Sequence, residues 1–222
     1  VESVKMCPSP IVPAKDAPEN VKCAYEVVTG SNTYVGKTIV FATGTEYRKL
    51  GVTGEKEYTG KGVSYCALCD GAFFRDKTVC LVGGGDTAAI DSLILTQFCK
   101  KIFVLVRKDV IRAEPVNYDK MMKSEKIEIR YNAEVTEIIG KNNKVEAVKL
   151  KSGETMPVEG VFVAIGHIAL SGLAKKLGVA LDSTGFIKVN VGSETNVPGV
   201  YAAGDVTDKP FKQAIIGASE GV

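Results

Sequence analysis

Thr78-Val79-Cys80-Leu81-Val82-Gly83-Gly84-Gly85-Asp86-Thr87-Ala88 is the stretch that decides the fold. Its first five residues form a short apolar run, the mark of a buried strand. Helical spacing with small residues at its start follows over Asp86–Phe98, and Ile102–Val106 is a second apolar run. Strand, helix and strand in that order predict one βαβ unit with a parallel strand pair. The turn between them reads G-x-G-x-x-A in the setting that a dinucleotide site requires. Gly83 permits the tight turn, Gly85 lets the backbone approach a pyrophosphate, and Ala88 keeps the helix close to the strand. The phosphates would meet the free N–H groups of the helix start, with Asp86 as its expected N-cap and Thr87 beside it.

The second strand bears on which nucleotide is bound. An NAD-type site has an acid about 20 residues past the turn, accepting from the ribose 2′-OH. This chain has Arg107-Lys108 there, with Arg112 shortly after. Three cations cannot serve as that acceptor but suit a 2′-phosphate, so NADPH is favoured over NADH.

Outward from this unit, Pro115 suits the first turn of a helix running to about Ser124, and Ile127–Tyr131 is the next expected strand. Glu134–Ile139, Lys144–Leu150 and Glu154–Val158 read as an antiparallel meander with turns at Asn142-Asn143 and Ser152-Gly153. Val161–Ile165 returns as a buried strand ending at Gly166. Towards the start, Tyr25–Thr29 and Thr33–Ala42 read as strands around Gly30-Ser31-Asn32. Residues 1–20, with four prolines, are expected to be irregular. A shorter strand-rich segment follows Leu177. Phe41-Ala42-Thr43-Gly44 and Val163-Ala164-Ile165-Gly166 echo each other as strand-then-glycine ends, like two crossing points between domains.

Cys66-Ala67-Leu68-Cys69, followed at once by Asp70, is the second informative feature. A Cys-x-x-Cys pair can be redox-active or bind zinc. A structural zinc site wants four ligands, and this chain has no second pair and only one histidine, the distant His167. A redox pair needs one thiolate to attack and one to resolve, and the Cys-x-x-Cys setting can lower the first pKa. Asp70 could act as proton donor and acceptor for the leaving thiolate if burial raises its pKa; its plainer role is a helix or turn cap. Cys80 and Cys99 lie in apolar stretches as inert core residues, and Cys7 and Cys23 are assigned no role.

The bulk properties exclude several classes. The chain has 222 residues, 45% of them hydrophobic, and formal net charge +2. That allows one or two domains with a substantial core, and gives no electrostatic case for nucleic acid or an anionic membrane. No apolar run reaches bilayer length, no charged-then-apolar leader opens the sequence, and the scattered cysteines suit the cytoplasm.

Gly62-Val63-Ser64-Tyr65-Cys66-Ala67-Leu68-Cys69-Asp70-Gly71 resembles the active-site segment of the low-molecular-weight thioredoxin reductases. The resemblance continues through Gly83–Ala88, Val106-Arg107-Lys108, Arg112, Phe162–His167, Val197–Val206 and Lys212-Gln213-Ala214. It implies an FAD domain split around an inserted NADPH domain: residues 1–49, then 50–166 with the dithiol, then 167–222. The expected fold is α/β, two Rossmann-like three-layer nucleotide-binding domains with a β-meander, the FAD domain incomplete at its N-terminus. The family normally opens with an FAD-binding βαβ and its own glycine turn, and this sequence starts partway into that pattern.

The resemblance further implies that Cys69 faces the flavin, Cys66 attacks the partner's disulfide and Asp70 is the acid/base. Gly204 and Asp205 would hold FAD through its ribityl and phosphate groups. Lys212, Gln213 and Ala214 would lie near the isoalloxazine, and Thr43 and Gly44 at the domain junction near it. Gly166, at the matching strand end, is counted with them as cofactor-binding. Relatives rotate their two domains and are commonly homodimers. Val106 stands where the family often has His, Lys108 where it has Arg, and Ile168-Ala169-Leu170 where it usually has a proline and polar residues. The expected function is an NADPH-dependent flavin disulfide reductase acting on thioredoxin or a thioredoxin-like protein disulfide. The rivals are a flavoprotein serving a peroxiredoxin system, one using another electron donor, and a non-catalytic nucleotide-binding redox sensor; a zinc-binding interaction domain is more remote.

Overall fold

In the computed structural model, which describes residues 1–6 and 25–221, contacts divide the chain into two units. One comprises Val1–Glu46 and His167–Val222, the other Tyr47–Gly166. Cys7, Cys23 and most of the opening segment expected to be irregular lie outside the described residues. The part of that segment that is described corrects the expectation. Ser3–Met6 (β1) is a strand, paired antiparallel with Tyr25–Val28 (β2).

The strand expected over Thr33–Ala42 is two strands. Thr33–Gly36 (β3) pairs antiparallel with β2. Ile39–Phe41 (β4) leaves that sheet for a parallel pairing described below. The break falls at Lys37-Thr38, so one apolar run feeds two sheets of different polarity. Thr45–Tyr47 (β5) then ends this passage of the chain.

In the unit Tyr47–Gly166, Glu55–Tyr58 (α1), Val63–Ser64 (β6) and Ala67–Asp70 (α2) precede Thr78–Val82 (β7). Asp86–Leu95 (α3), Lys101–Leu105 (β8), Pro115–Met122 (α4) and Ile127–Arg130 (β9) follow. Pro115 occupies the start of α4, where its missing N–H costs nothing. The meander Val135–Lys141 (β10), Lys144–Leu150 (β11) and Thr155–Pro157 (β12) leads into Gly160–Val163 (β13). Asn142 and Asn143 both take positive φ, 51° and 64°, the twist that a two-residue hairpin turn requires.

Five strands form one sheet in the order β6-β13-β7-β8-β9, with parallel pairing throughout. Both faces are covered, which is why the strands read as continuous apolar runs. Leu81, Ile102, Val104 and Phe162 pack with Ala88, Ala89, Leu95 and Met121 of α3 and α4. Cys80, Val82, Val161 and Val163 pack with Val135, Ile138, Val148 and Met156 of the meander. Chain order β7, β8, β9 runs outward on one side of β7, and β13 lies on its other side. The topological switch point, where α/β sheets bind ligands, therefore falls between β7 and β13.

The chain re-enters the first unit through His167–Ala169 (β14), which pairs with β5. Gly172–Lys176 (α5), Val200–Ala202 (β15) and Ala214–Glu220 (α6) complete it. β15 is the parallel partner of β4. Tyr25, Phe41, Ala174, Ile187, Val200 and Val206 form this unit's core. The Tyr25 hydroxyl donates to the carbonyl of Pro198, satisfying the one polar atom of a ring fully removed from solvent. No helix among the described residues is long and apolar enough to cross a membrane.

Candidate active site

Cys66 and Cys69 are joined as a disulfide, their Cα atoms 5.3 Å apart. The helical turn α2 makes this spacing possible, since residues three apart lie on one face. Cys66 is the N-cap of α2 and its sulfur accepts from the Cys69 N–H at 3.1 Å. That donor and the positive end of the turn both favour a thiolate on Cys66 once the pair is reduced. Cys66 is half-buried, whereas Cys69 and Leu68 are exposed.

Asp70 closes the same turn. Its N–H donates to the Cys66 carbonyl at 3.0 Å, and its Oδ2 accepts from the Ser64 hydroxyl at 2.6 Å. Ser64 is buried and its Oγ also accepts from the Cys66 N–H at 3.2 Å. Asp70 stands at the N-cap position of the 3-10 turn Gly71–Phe74 that follows, but its side chain makes no capping bond there or in α2. On the other side of the dithiol, the Tyr65 hydroxyl donates to Glu55 Oε1 at 2.9 Å. The buried Glu55 carboxylate also takes the N–H groups of Leu50 and Gly51, at 2.9 and 2.7 Å.

The glycine turn stands at the switch point. A Cβ on Gly83 would lie 2.4 Å from the Ala164 carbonyl and 2.8 Å from the Ala88 Cβ. Gly83 is therefore required by packing, where the chains leaving β7 and β13 touch. Gly85 differs: a Cβ there would meet nothing within 4 Å. Its φ of −110° suits any residue, so neither packing nor backbone strain asks for glycine. The space before it is open. It adjoins the first turn of α3, which no side chain caps, so its N–H groups remain available to an anion.

Here one expectation needs correction. Gly85, not Asp86, is the N-cap of α3. Asp86 is already helical, and its Oδ1 accepts from the Glu114 N–H at 2.9 Å and from Asn117 Nδ2 at 3.0 Å. The carboxylate ties the start of α4 to the start of α3 instead of capping its own helix. Arg112 lies alongside, its N–H donating to the Gly84 carbonyl at 2.7 Å. Arg107, Lys108, Arg112 and Thr87 are all exposed, and Ala88 is fully buried.

Gly166 is the last residue of this unit, with a φ of 97°, and the other predicted positions lie in the first unit. The Thr43 hydroxyl donates to the Leu170 carbonyl at 2.7 Å, and the Gly44 carbonyl accepts from the Leu170 N–H. Gly204 follows β15 and its N–H donates to Glu220 Oε2 at 2.6 Å. Asp205 lies in the turn Gly204–Val206. Lys212 Nζ donates to the carbonyls of Thr207 and Lys209 and lies 4.1 Å from the Phe186 ring centroid. Burial lowers the Lys212 ammonium against the pull of Asp205, Glu220, Asp208 and Asp182. Burial also lowers His167, opposed by Asp205 and assisted by Lys212. Asp205, Lys212 and His167 thus belong to one electrostatic cluster. Gln213 is the N-cap of α6 and Ala214 its first residue. Glu220 Oε1 is buried with no hydrogen-bond partner among the described residues, which leaves an unused acceptor in the side chain that holds Gly204.

The sequence assigns no role to Glu55 or Asn117, and none to Ser64 or Tyr65 beyond their place in the resembling segment. Ser64 is six residues from Asp70, and the turn from β6 into α2 brings their side chains together.

A family model described as pyridine nucleotide-disulphide oxidoreductase matches residues 9–221. Thioredoxin reductase of Listeria innocua is 42% identical over 200 residues, covering 88% of this chain and 62% of the relative. That of Bacillus subtilis is 39% identical over 203 residues. The crystal structure of thioredoxin reductase from Streptococcus pyogenes superimposes with a TM-score of 0.79 at 39% identity, over 89% of this chain and 66% of that one. The enzyme from Giardia duodenalis gives 0.80 at 35% identity, over 89% and 67%. The chain spans about three-fifths of the length of the curated relatives it matches.

Proposed function

Because the chain belongs to the pyridine nucleotide-disulphide oxidoreductase family, we propose that it acts as an NADPH-dependent flavin disulfide reductase whose oxidant is thioredoxin or a thioredoxin-like protein disulfide. The observation that carries this is the bonded pair Cys66–Cys69 with Asp70 in the same helical turn, in the unit that also holds the open glycine turn.

The residues present fit both cofactors. For NADPH, the open space at Gly85 and the uncapped start of α3 suit the pyrophosphate, and Arg107, Lys108 and Arg112 the 2′-phosphate. For FAD, Gly204, Asp205, Lys212, Gln213 and Ala214, with Thr43, Gly44 and Gly166, are the residues of this chain that would hold it. The unused acceptor of Glu220 beside Gly204 supports a donor-bearing ligand there. When bound, NADPH would supply a hydride and FAD would pass the electron pair on to the disulfide. We accordingly read Tyr47–Gly166 as the NADPH domain and the other unit as part of the FAD domain.

The chain's own residues do the rest. Two electrons cleave the Cys66–Cys69 bond and leave two thiol groups, at least one as a thiolate. The Cys66 thiolate, favoured by the Cys69 N–H, attacks one sulfur of the partner disulfide. A mixed disulfide forms and one partner thiolate leaves. Cys69 then attacks the Cys66 sulfur, re-forming the internal bond and releasing the second partner thiolate. Asp70 takes the proton of the Cys69 thiol as that sulfur attacks and delivers it to the departing partner thiolate, the other partner thiolate taking its proton from water. We place this work in the cytoplasm, where a reducing pool keeps such a pair turning over, and expect a homodimer.

The test uses the full-length protein. Its visible spectrum should show flavin bands that bleach with NADPH and recover with oxidised thioredoxin. Cys66→Ser should still bleach with NADPH but lose thioredoxin reduction by at least about a hundredfold. Bands that ignore NADPH yet bleach with dithionite would point to another donor. Thioredoxin reduction undiminished in Cys66→Ser would remove the dithiol from the reaction.

A further inference from the structure

We propose that Ser64 is a positioning residue that ties the proton-transferring group to the attacking cysteine; this rests on the dithiol chemistry proposed above. Ser64 ends β6 at the edge of the parallel sheet and is only 4% exposed. Its hydroxyl carries one proton and has two acceptors within reach. Asp70 Oδ2 is at 2.6 Å and the Cys66 carbonyl at 3.4 Å. The shorter, charge-assisted contact takes the proton. The oxygen then accepts from the Cys66 N–H at 3.2 Å. The result is one directed chain, Cys66 N–H to Ser64 Oγ–H to Asp70 Oδ2. The bond from the Asp70 N–H to the Cys66 carbonyl closes it into a ring around the dithiol.

The direction of this chain has a consequence for proton transfer. With Oδ2 engaged as an acceptor, a proton arriving at Asp70 is held on Oδ1. Ser64 can go on donating to Oδ2 whether the carboxyl is ionised or neutral. The network therefore survives each proton cycle, and Asp70 returns to one rotamer. A buried serine serves here because it is short, presents one donor and one acceptor at once, and titrates at no working pH. Alanine would leave the Cys66 N–H and Asp70 Oδ2 without these partners in a half-buried site.

Dithiothreitol, which reduces the Cys66–Cys69 bond without nucleotide or flavin, is the probe. Its reduction rate is measured on full-length wild type, S64A, S64T, D70N and S64A/D70N. S64A should be slower by about tenfold and D70N by more. The double variant should be no slower than D70N, because Ser64 acts only through that carboxyl. S64T, which keeps the hydroxyl, should recover most of the loss. Should S64A fail to fold, Ser64→Val, which lacks the hydroxyl but matches the shape of S64T, takes its place. An S64A rate equal to wild type, or effects that multiply in the double variant, would overturn the proposal. A wild type that ignores NADPH yet shows this pattern would sink the nicotinamide assignment and leave the role of Ser64 standing.

Discussion

Two glycines of one turn do different jobs, and the difference can be measured. Gly83 is held by packing, since a methyl group there would strike the Ala164 carbonyl and Ala88. Gly83→Ala should cost about 1–3 kcal/mol in stability, read by denaturant unfolding. Gly85 faces open space, so Gly85→Ala should cost less than about 1 kcal/mol, mostly from a poorer N-cap. Its effect should appear in the dissociation constant for NADPH, raised about tenfold or more by titration. Equal losses of stability for the two variants would contradict the packing argument. The cysteines divide in the same way. Burial pushes the Cys80 thiol up to about 12 and Cys99 to about 11, the latter against Lys126 and Lys77. At pH 8 both stay protonated, with fewer than about one in a hundred as the reactive thiolate. An alkylating reagent should miss both in the native protein and label both after denaturation.

Helix starts were the least legible feature at the level of elements. Asp beside a glycine turn reads as a cap, yet Gly85 takes that position. Asp86 instead bonds the Glu114 N–H and Asn117. This clamp fixes the start of α4, and with it the end of the segment that carries Arg107, Lys108 and Arg112. Asp86→Ala should lower stability by about 1–2 kcal/mol, the net worth of two hydrogen bonds to a carboxylate near the surface. It should also raise the KM for NADPH more than that for NADH, if the basic segment reads the 2′-phosphate. Steady-state kinetics with both nucleotides, alongside a melting curve, checks it. The split of Thr33–Ala42 into β3 and β4 has a related cause. An apolar run shows that a segment is buried, but not which neighbour pairs with it.

For the molecule as a whole, continuity of chain separates the two units. Tyr47–Gly166 is one uninterrupted segment, and both hydrophobic clusters on its sheet are built from its own residues. Expressed alone, residues 47–166 should unfold in one cooperative transition and retain a dissociation constant for NADPH within about threefold of that of the full-length protein. A non-cooperative melt would show that the unit depends on the rest of the chain. The other unit is assembled from two stretches joined by the pairing of β4 with β15 and by a shared core. The β4–β15 pair therefore closes a long loop and forms late if the inserted unit folds first.

The local chemistry of this protein is written in its sequence. The βαβ run at Thr78–Leu105, the asparagine turn of the meander and the Cys-x-x-Cys-Asp segment follow from residue type and spacing, because each is decided within a few residues. The resemblance to thioredoxin reductases supplied the split domain order, which periodicity alone does not contain. Only the tertiary structure decided what long-range pairing brings together. It set β13 beside β7, so that Gly83 meets Ala164, and it turned Asp86 toward α4. Those contacts join residues by the closure of a sheet, and the energy that selects them is burial summed over many side chains, which no short window of sequence can hold.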